Sequence, residues 1–469
     1  MRIDNVIEAV GSGSHSYETD AIKQLEHALH LSVSISDAAR IERVRDAILA
    51  YGDKVAEDDE PGLWCFVYDL LWNQKKVPLT EAQKTKIIGD FEGRLERVSD
   101  TSGDRPLDPW AAEAAAIRLA KHYRTEGRSE EVKRVLLKYG AAYEKMAEPA
   151  AAMLAQAWLE NVYQVYRDFG LKEDAERLLR RIRDLGPKAL DDLKPISVEM
   201  EITNKEMADF VQEMTEGDLE TVLGRIAVHY LPRRDQVEKQ IKDLAATAPL
   251  SFLCQAKVVD HKGRPTATVG SLEHDLEGRV IMQMAQNMQF VAVSLRQVMI
   301  ALVNNFSITH ERLTEYVCRT PLFDEDSKAI LGRGIKAYLE GDSLVAIHVL
   351  MPQIENAIRN LVEYIGGTVL KPNRVGGMDL KTFDELLRDE QLSAVFGVAG
   401  DDVLLYLRVL FTDRRGVNLR NRVFHGIAPA STFNLAFADR VVHSLLILAQ
   451  VRKKEEPAAD EREVGEGTK

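Results

Sequence analysis

Cysteine is nearly absent from this chain of 469 residues. Its three copies, Cys65, Cys254 and Cys318, lie far apart with no Cys-x-x-Cys pair, which argues against a disulfide framework or a thiolate zinc site. Long apolar runs are missing too. The most apolar stretch, residues 290–306, spans 17 residues and is interrupted by Arg296, Gln297 and two asparagines. It reads as a buried helix rather than a membrane span. The opening Met1-Arg2-Ile3-Asp4-Asn5 lacks a basic region followed by an apolar stretch, so no signal peptide is expected and the expected location is cytoplasmic, with no membrane partner. No His-Glu-x-x-His, paired acid cluster, Cys/His set at ligand spacing or Gly-x4-Gly-Lys-Ser/Thr loop occurs. A metal enzyme, a kinase and a nucleoside triphosphatase are therefore disfavoured, and neither metal nor cofactor is expected. Excess positive charge is also lacking: 61 Lys and Arg face 74 Asp and Glu, a net charge of −13. That argues against a protein coating nucleic acid non-specifically, yet leaves room for one basic cleft on an acidic body.

What remains is enough apolar content, 45%, to build a packed core, and length for two or three domains. Helical periodicity dominates, so the expected fold is all-α. The best strand-like alternation is Ala256 to Val269, where His261-Lys262-Gly263-Arg264 would turn a small hairpin. The chain divides into an N-terminal helical region (1–105), repeat-like helical hairpins (106–190), a helical middle region with the hairpin (191–319), a helical bundle (320–454) and an acidic tail (455–469). The first ~20 residues are expected to be poorly ordered, and so is the tail, which has six acidic and two basic residues and almost no apolar ones. Helices are expected from Thr19 to Tyr51, from Leu63 to Trp72 and from Thr80 to Val98.

Tyr123-Arg124-x-x-Gly127 recurs 43 residues later as Tyr166-Arg167-x-x-Gly170. Acidic residues follow each copy (Glu130-Glu131; Glu173-Asp174), then an Arg-apolar-Leu step (Arg134-Val135-Leu136; Arg177-Leu178-Leu179). Two helix-turn-helix units of tetratricopeptide type fit this pattern, and so does a generic helical hairpin array. Such a region could hold a protein partner or a sensor ligand, or serve simply as scaffolding.

In the bundle, helices are expected from Asp324 to Glu340 and from Ser343 to Ile365. The second carries a core stripe of Ile347, Leu350, Ile354, Ile358, Leu361 and Ile365. A second stripe holds His348, Glu355 and Arg359; the last two can pair, either as an exposed ion pair or as part of a polar cluster facing a site on another helix. Pro352 should bend this helix. After a loop through Asn373 and Gly376-Gly377, short and longer helices are expected at Thr382–Asp389 and Asp401–Thr412, and a closing helix from Phe433 to Val451.

Between the last two lies Arg420-Asn421-Arg422-Val423-Phe424-His425-Gly426, on a helix that Gly426 and Pro429 should end. An arginine to bind phosphate oxygens and a histidine to move a proton near neutral pH are the parts of a metal-free phosphodiester-cleaving site. Five positions apart, Arg420 and His425 sit about 140° around a helix. Either the long arginine wraps into a shared groove, or two copies meet about a twofold axis and each contributes to one cleft. Arg414, Arg415, Arg420 and Arg422 form a local basic run suited to phosphate, or a solvated face paired with Asp401, Asp402 and Asp413.

The segment resembles the HEPN superfamily (higher eukaryote and prokaryote nucleotide-binding domains), whose hallmark is Arg, a polar residue, then x-x-x-His. More closely it resembles the uncharacterised domain family defined by Arg-Asn-x-x-Ala-His-Gly: Arg420, Asn421, His425 and Gly426 match, and Phe424 replaces the alanine. Ala346-Ile347-His348-x-Leu350-x-Pro352-Gln353-x-Glu355-x-x-x-Arg359 resembles that family's first long helix. The two matches cover roughly residues 320–452. The resemblance implies a homodimeric four- or five-helix bundle and a metal-independent ribonuclease with RNA as partner, Arg420, Asn421 and His425 as catalytic residues and Glu355, Arg359 and His348 supporting them. Many relatives are toxins or anti-phage defence effectors. Some bind nucleotide without cutting, so a catalytically silent nucleotide- or RNA-binding or protein-interaction scaffold is the alternative.

Overall fold

The computed structural model describes residues 2–102, 107–194 and 201–452. The acidic tail and part of the connection before Pro109 lie outside those residues. Among the described residues the fold is all-α, with 23 α-helices and two small two-stranded sheets. The chain forms two compact units, Met1–Ile196 with Lys262–Arg264, and Ser197–His261 with Pro265–Lys469.

The first unit contains α1 (Arg2–Ser12), α2 (Glu18–Ser34), α3 (Ala38–Val55), α4 (Cys65–Leu71), α5 (Glu81–Val98), α6 (Pro109–Thr125), α7 (Ser129–Ala147), α8 (Ala152–Asp168) and α9 (Lys172–Asp191). Against expectation, residues 2–12 are helical. Ile3 and Val10 are buried, and the Asp4 carboxylate accepts from Arg40 and Arg43 of α3. The single helix expected from Thr19 to Tyr51 is two. Ser36 adopts φ +54°, and the Asp37 side chain caps α3 by accepting from the Arg40 amide at 3.1 Å. Thr80 and Gln83 form a capping box that starts α5 where the sequence indicates.

The internal repeat is built as two helical hairpins with one turn design. Gly127 (φ +72°) and Gly170 (φ +82°) take the left-handed conformation after α6 and α8. In each, the amide after the glycine bonds the repeat tyrosine's carbonyl, Arg128 to Tyr123 and Leu171 to Tyr166, both at 2.9 Å. The repeat extends to ion pairs: Arg134 on α7 reaches Glu92 on α5 at 2.5 Å, and Arg177 on α9 reaches Glu144 on α7 at 2.6 Å. Gly140 of α7 is also required, because a Cβ there would overlap the buried Tyr166 hydroxyl.

The second unit continues with α10 (Asn204–Met214), α11 (Leu219–His229), α12 (Arg234–Thr247), α13 (Pro249–Leu253), the antiparallel pair β1 (Ala256–Val259) and β2 (Pro265–Val269), α14 (Leu276–Phe290), α15 (Ala292–Phe306), α16 (His310–Val317), α17 (Glu325–Leu339) and α18 (Ser343–Tyr364). Then come the antiparallel β3 (Leu370–Pro372) and β4 (Met378–Leu380), α19 (Phe383–Leu386), α20 (Glu390–Val395), α21 (Gly400–Phe411), α22 (Leu419–Phe424) and α23 (Leu435–Leu448). The hairpin expected between Ala256 and Val269 is present. The second hairpin falls where the sequence suggested only a loop: Asn373 Oδ1 accepts from the amides of Val375 and Gly377, folding the chain back. α18 runs unbroken through Pro352.

One core spans this unit from Met214 to Val451, so the boundary expected near residue 320 does not coincide with a break in packing. The reason is α23. Its Val441, Leu445, Leu446 and Leu448 are buried, and it packs against α11, α15 and α16 as well as α18. Its polar residues are buried too. Asp439 accepts from the Tyr338 hydroxyl at 2.6 Å and from Arg296 at 3.0 Å. His443 Nε2 faces the Ala227 carbonyl at 3.2 Å and must donate to it; Nδ1 then accepts from the Tyr406 hydroxyl at 2.8 Å. Burial, reinforced by the Arg440 charge, pulls the His443 pKa down to about 3, so the ring is neutral.

Candidate active site

Two helices build the site, the long α18 and the short α22. Asn418 (φ +55°) turns the chain into α22, whose Leu419 and Val423 are buried. Burying those two leaves Arg420 on the flank facing α18. Its Nε donates to Glu355 Oε2 at 3.0 Å, Nη2 to Glu355 Oε1 at 3.5 Å and Nη1 to Asn421 Oδ1 at 3.3 Å. Three of five guanidinium N–H groups are thereby engaged and two are left.

Glu355 also accepts from Arg359 Nη2 at 3.2 Å, one turn along α18. Two guanidiniums thus share one carboxylate that is 13% exposed, and the three groups together carry net positive charge. Arg359 Nη1 donates to Asn356 at 3.4 Å, while its Nε is buried and unpartnered among the described residues. His348 does not join them. Its ring stacks on Phe433 with centroids 4.9 Å apart, and Nδ1 lies 2.8 Å from its own helix's Leu344 carbonyl.

Asn421 is tied to the local turn: Nδ2 donates to Asn418 Oδ1 at 2.8 Å and to the Thr412 carbonyl at 3.2 Å. Its side chain therefore steadies Arg420 rather than the histidine. His425 follows the last residue of α22 at φ −87°, ψ 3°, close enough to helical that its side chain leaves about 140° from Arg420. It is exposed, and no described residue hydrogen-bonds its ring. Gly426 (φ +65°) ends the helix, with the Ile427 amide bonding the Arg422 carbonyl at 3.0 Å.

The arginine run is divided in its partners. Arg415 grips Asp413 through Nε and Nη2 at 3.0 and 2.9 Å, and the Arg415 amide donates to the same carboxylate. Burial pushes the Asp413 carboxyl up, but the bonds from Arg415 and the charges of Arg415 and Arg408 outweigh it and hold its pKa below the ordinary value. Arg422 is half-buried, donates to Thr432 Oγ1 at 3.0 Å and has its pKa lowered by that burial. Arg414 is exposed. Asp402 instead binds Arg233 and the Arg234 amide, and Asp401 accepts from Ser393.

Thr412, Asn418, Asn356 and Phe433 were not singled out from the sequence. Only Asn418, a polar residue directly before a short amphipathic segment, carries a local signal. Among the described residues no group of three or more His, Cys, Asp or Glu is placed to hold a metal ion, and no helix is long and apolar enough to cross a membrane. A cavity of about 910 Å³ in the same unit, lined by Met207, Phe210, Val211, Phe290 and Val293, includes none of the motif residues. No family model matches the chain, and no curated protein or solved structure matches it significantly.

Proposed function

We propose that this chain is a metal-independent endoribonuclease acting as a homodimer, its site a HEPN-like pairing of α18 and α22 within the second unit. The observation that carries the reading is the shared Glu355. It orients Arg420 while leaving the Arg359–Glu355–Arg420 group net positive, with two N–H groups of Arg420 without partners among the described residues. Oriented guanidinium donors with spare capacity suit a phosphate, and an exposed imidazole five residues on suits proton transfer. Because the two side chains diverge, the Arg420 of one chain would serve the His425 of its partner across a twofold axis.

In that cleft the 2′-hydroxyl of the substrate attacks the adjacent phosphorus as His425 takes its proton. The bond from phosphorus to the 5′-oxygen breaks, and the leaving oxygen receives a proton from imidazolium. Arg420 stabilises the added charge on the phosphoryl oxygens. The products are a 2′,3′-cyclic phosphate and a 5′-hydroxyl. Arg414, exposed and without a partner among the described residues, would serve neighbouring phosphates; Arg415 and Arg422 would contribute only by exchanging Asp413 and Thr432. A cytoplasmic toxin or anti-phage effector, with the α6–α9 hairpins receiving a protein or ligand signal, fits this chemistry.

The test is cleavage of RNA in EDTA by wild type, Arg420→Ala and His425→Ala. Cleavage in wild type, reduced about 100-fold or more in each variant, supports the site; equal cleavage in all three removes it. One observation favours a catalytically silent nucleotide- or RNA-binding scaffold: Arg420 is already held by Glu355 within one chain. RNA binding without cleavage would select that reading.

A further inference from the structure

Phe424 stands where the resembling family has alanine, and the larger side chain is not used to fill the core. It is 39% exposed at the end of α22, directly before His425. The Arg420 guanidinium, one helical turn earlier, lies over the ring at 5.3 Å from its centroid. A cation over one face helps to hold the ring in place. Ile427, 40% exposed just beyond Gly426, adds apolar surface to the same turn. A flat, braced π-surface therefore adjoins the two side chains assigned to phosphate and proton.

We propose, resting on the endoribonuclease reading, that Phe424 is a stacking platform for an unpaired base next to the phosphate being cut, which makes single-stranded RNA the substrate class. Every base offers a π-face, so a single aromatic platform binds without reading sequence. A base within an A-form duplex is already stacked between its neighbours and is not available to a ring at the surface. Arg420 behind the platform and, across the twofold axis, the partner's His425 would hold the backbone of the same nucleotide.

The experiment measures binding of a fluorescein-labelled single-stranded RNA, and of the same RNA annealed to its complement, to the full chain carrying His425→Ala so that no cutting intervenes. Phe424→Ala, Phe424→Leu and Phe424→Trp are added to that background. The expected result is preference for the single strand, weakened roughly 5- to 150-fold by Phe424→Ala. Phe424→Leu, apolar but without a π-face, should bind as weakly as Phe424→Ala, and Phe424→Trp should restore affinity. Duplex binding should not respond. Unchanged single-strand affinity in Phe424→Ala overturns the platform alone. So does a loss traced by size measurement to dissociation of the dimer, because Phe424 would then be an interface residue. If the parent chain binds no RNA, the endoribonuclease reading fails and the platform with it.

Discussion

Replacing Glu355 by glutamine removes the one carboxylate that Arg359 and Arg420 share, leaving two guanidiniums side by side with only an amide between them. A hydrogen bond to a charged group contributes about 1.5–3 kcal/mol when well buried. Here Glu355 is 13% exposed and the arginines 20% and 25%, so solvent screening reduces the figure. An overall loss of about 2 kcal/mol follows, of which about 1 kcal/mol is coupling specific to the Glu355–Arg420 pair. The assay is a double-mutant cycle of Glu355→Gln and Arg420→Gln by urea denaturation. Part of the deficit of Glu355→Gln is repulsion between cations, so it should shrink as salt is raised. If the two substitutions prove additive within about 0.3 kcal/mol, the ion pair does not organise the site and the reasoning is wrong.

His443, held neutral with a pKa near 3, binds its proton only in the unfolded chain between that value and the ordinary 6.5, so its contribution to stability is lost as pH falls below 6.5. From pH 7 to pH 5 the loss is about 2 kcal/mol; urea midpoints should show it in wild type and not in His443→Gln. Asp413 has the carboxylate sign: its lowered pKa stabilises above the ordinary value of 3.8 and the effect disappears as pH falls further, so Asp413→Asn should narrow the difference between wild type and variant in acid. Gly127→Ala and Gly170→Ala should each cost about 1 kcal/mol and by similar amounts, because both glycines hold the same left-handed turn; thermal melts giving widely unequal losses would contradict the repeat. Size measurement should find a dimer, whereas a strict monomer at every concentration would remove the composite cleft.

Helices whose apolar period is strong, such as α18 and α5, were legible in the sequence to within a residue or two, because burial of one stripe and a capping residue fix both identity and ends. The break between α2 and α3 was not, since Ser36 in a left-handed conformation looks like any polar helix residue until Asp37 is seen capping. Nor was the second hairpin, which depends on hydrogen bonds from one asparagine side chain. That packing continues across residue 320 has a different reason. α23 is apolar enough to close a bundle by itself, but three of its four buried polar residues, Asp439, Arg440 and His443, take partners in the preceding region: Arg296, Tyr230, Met288 and Ala227. In the candidate site, the i,i+4 spacing of Glu355 and Arg359 announced their pairing. That Glu355 also takes Arg420, 65 residues on, is a tertiary fact that spacing does not contain. His348 illustrates the converse: it shares the stripe by spacing, yet its ring is claimed by Phe433.

The most direct measurement mixes two silent chains. Arg420→Ala and His425→Ala would be co-refolded and assayed for RNA cleavage in EDTA. With the arginine of one chain serving the histidine of the other, mixed dimers regain one intact site, and the mixture should recover about a quarter of wild-type activity. A mixture as inactive as either variant alone, with mixed dimers present, would contradict a cleft shared between two chains.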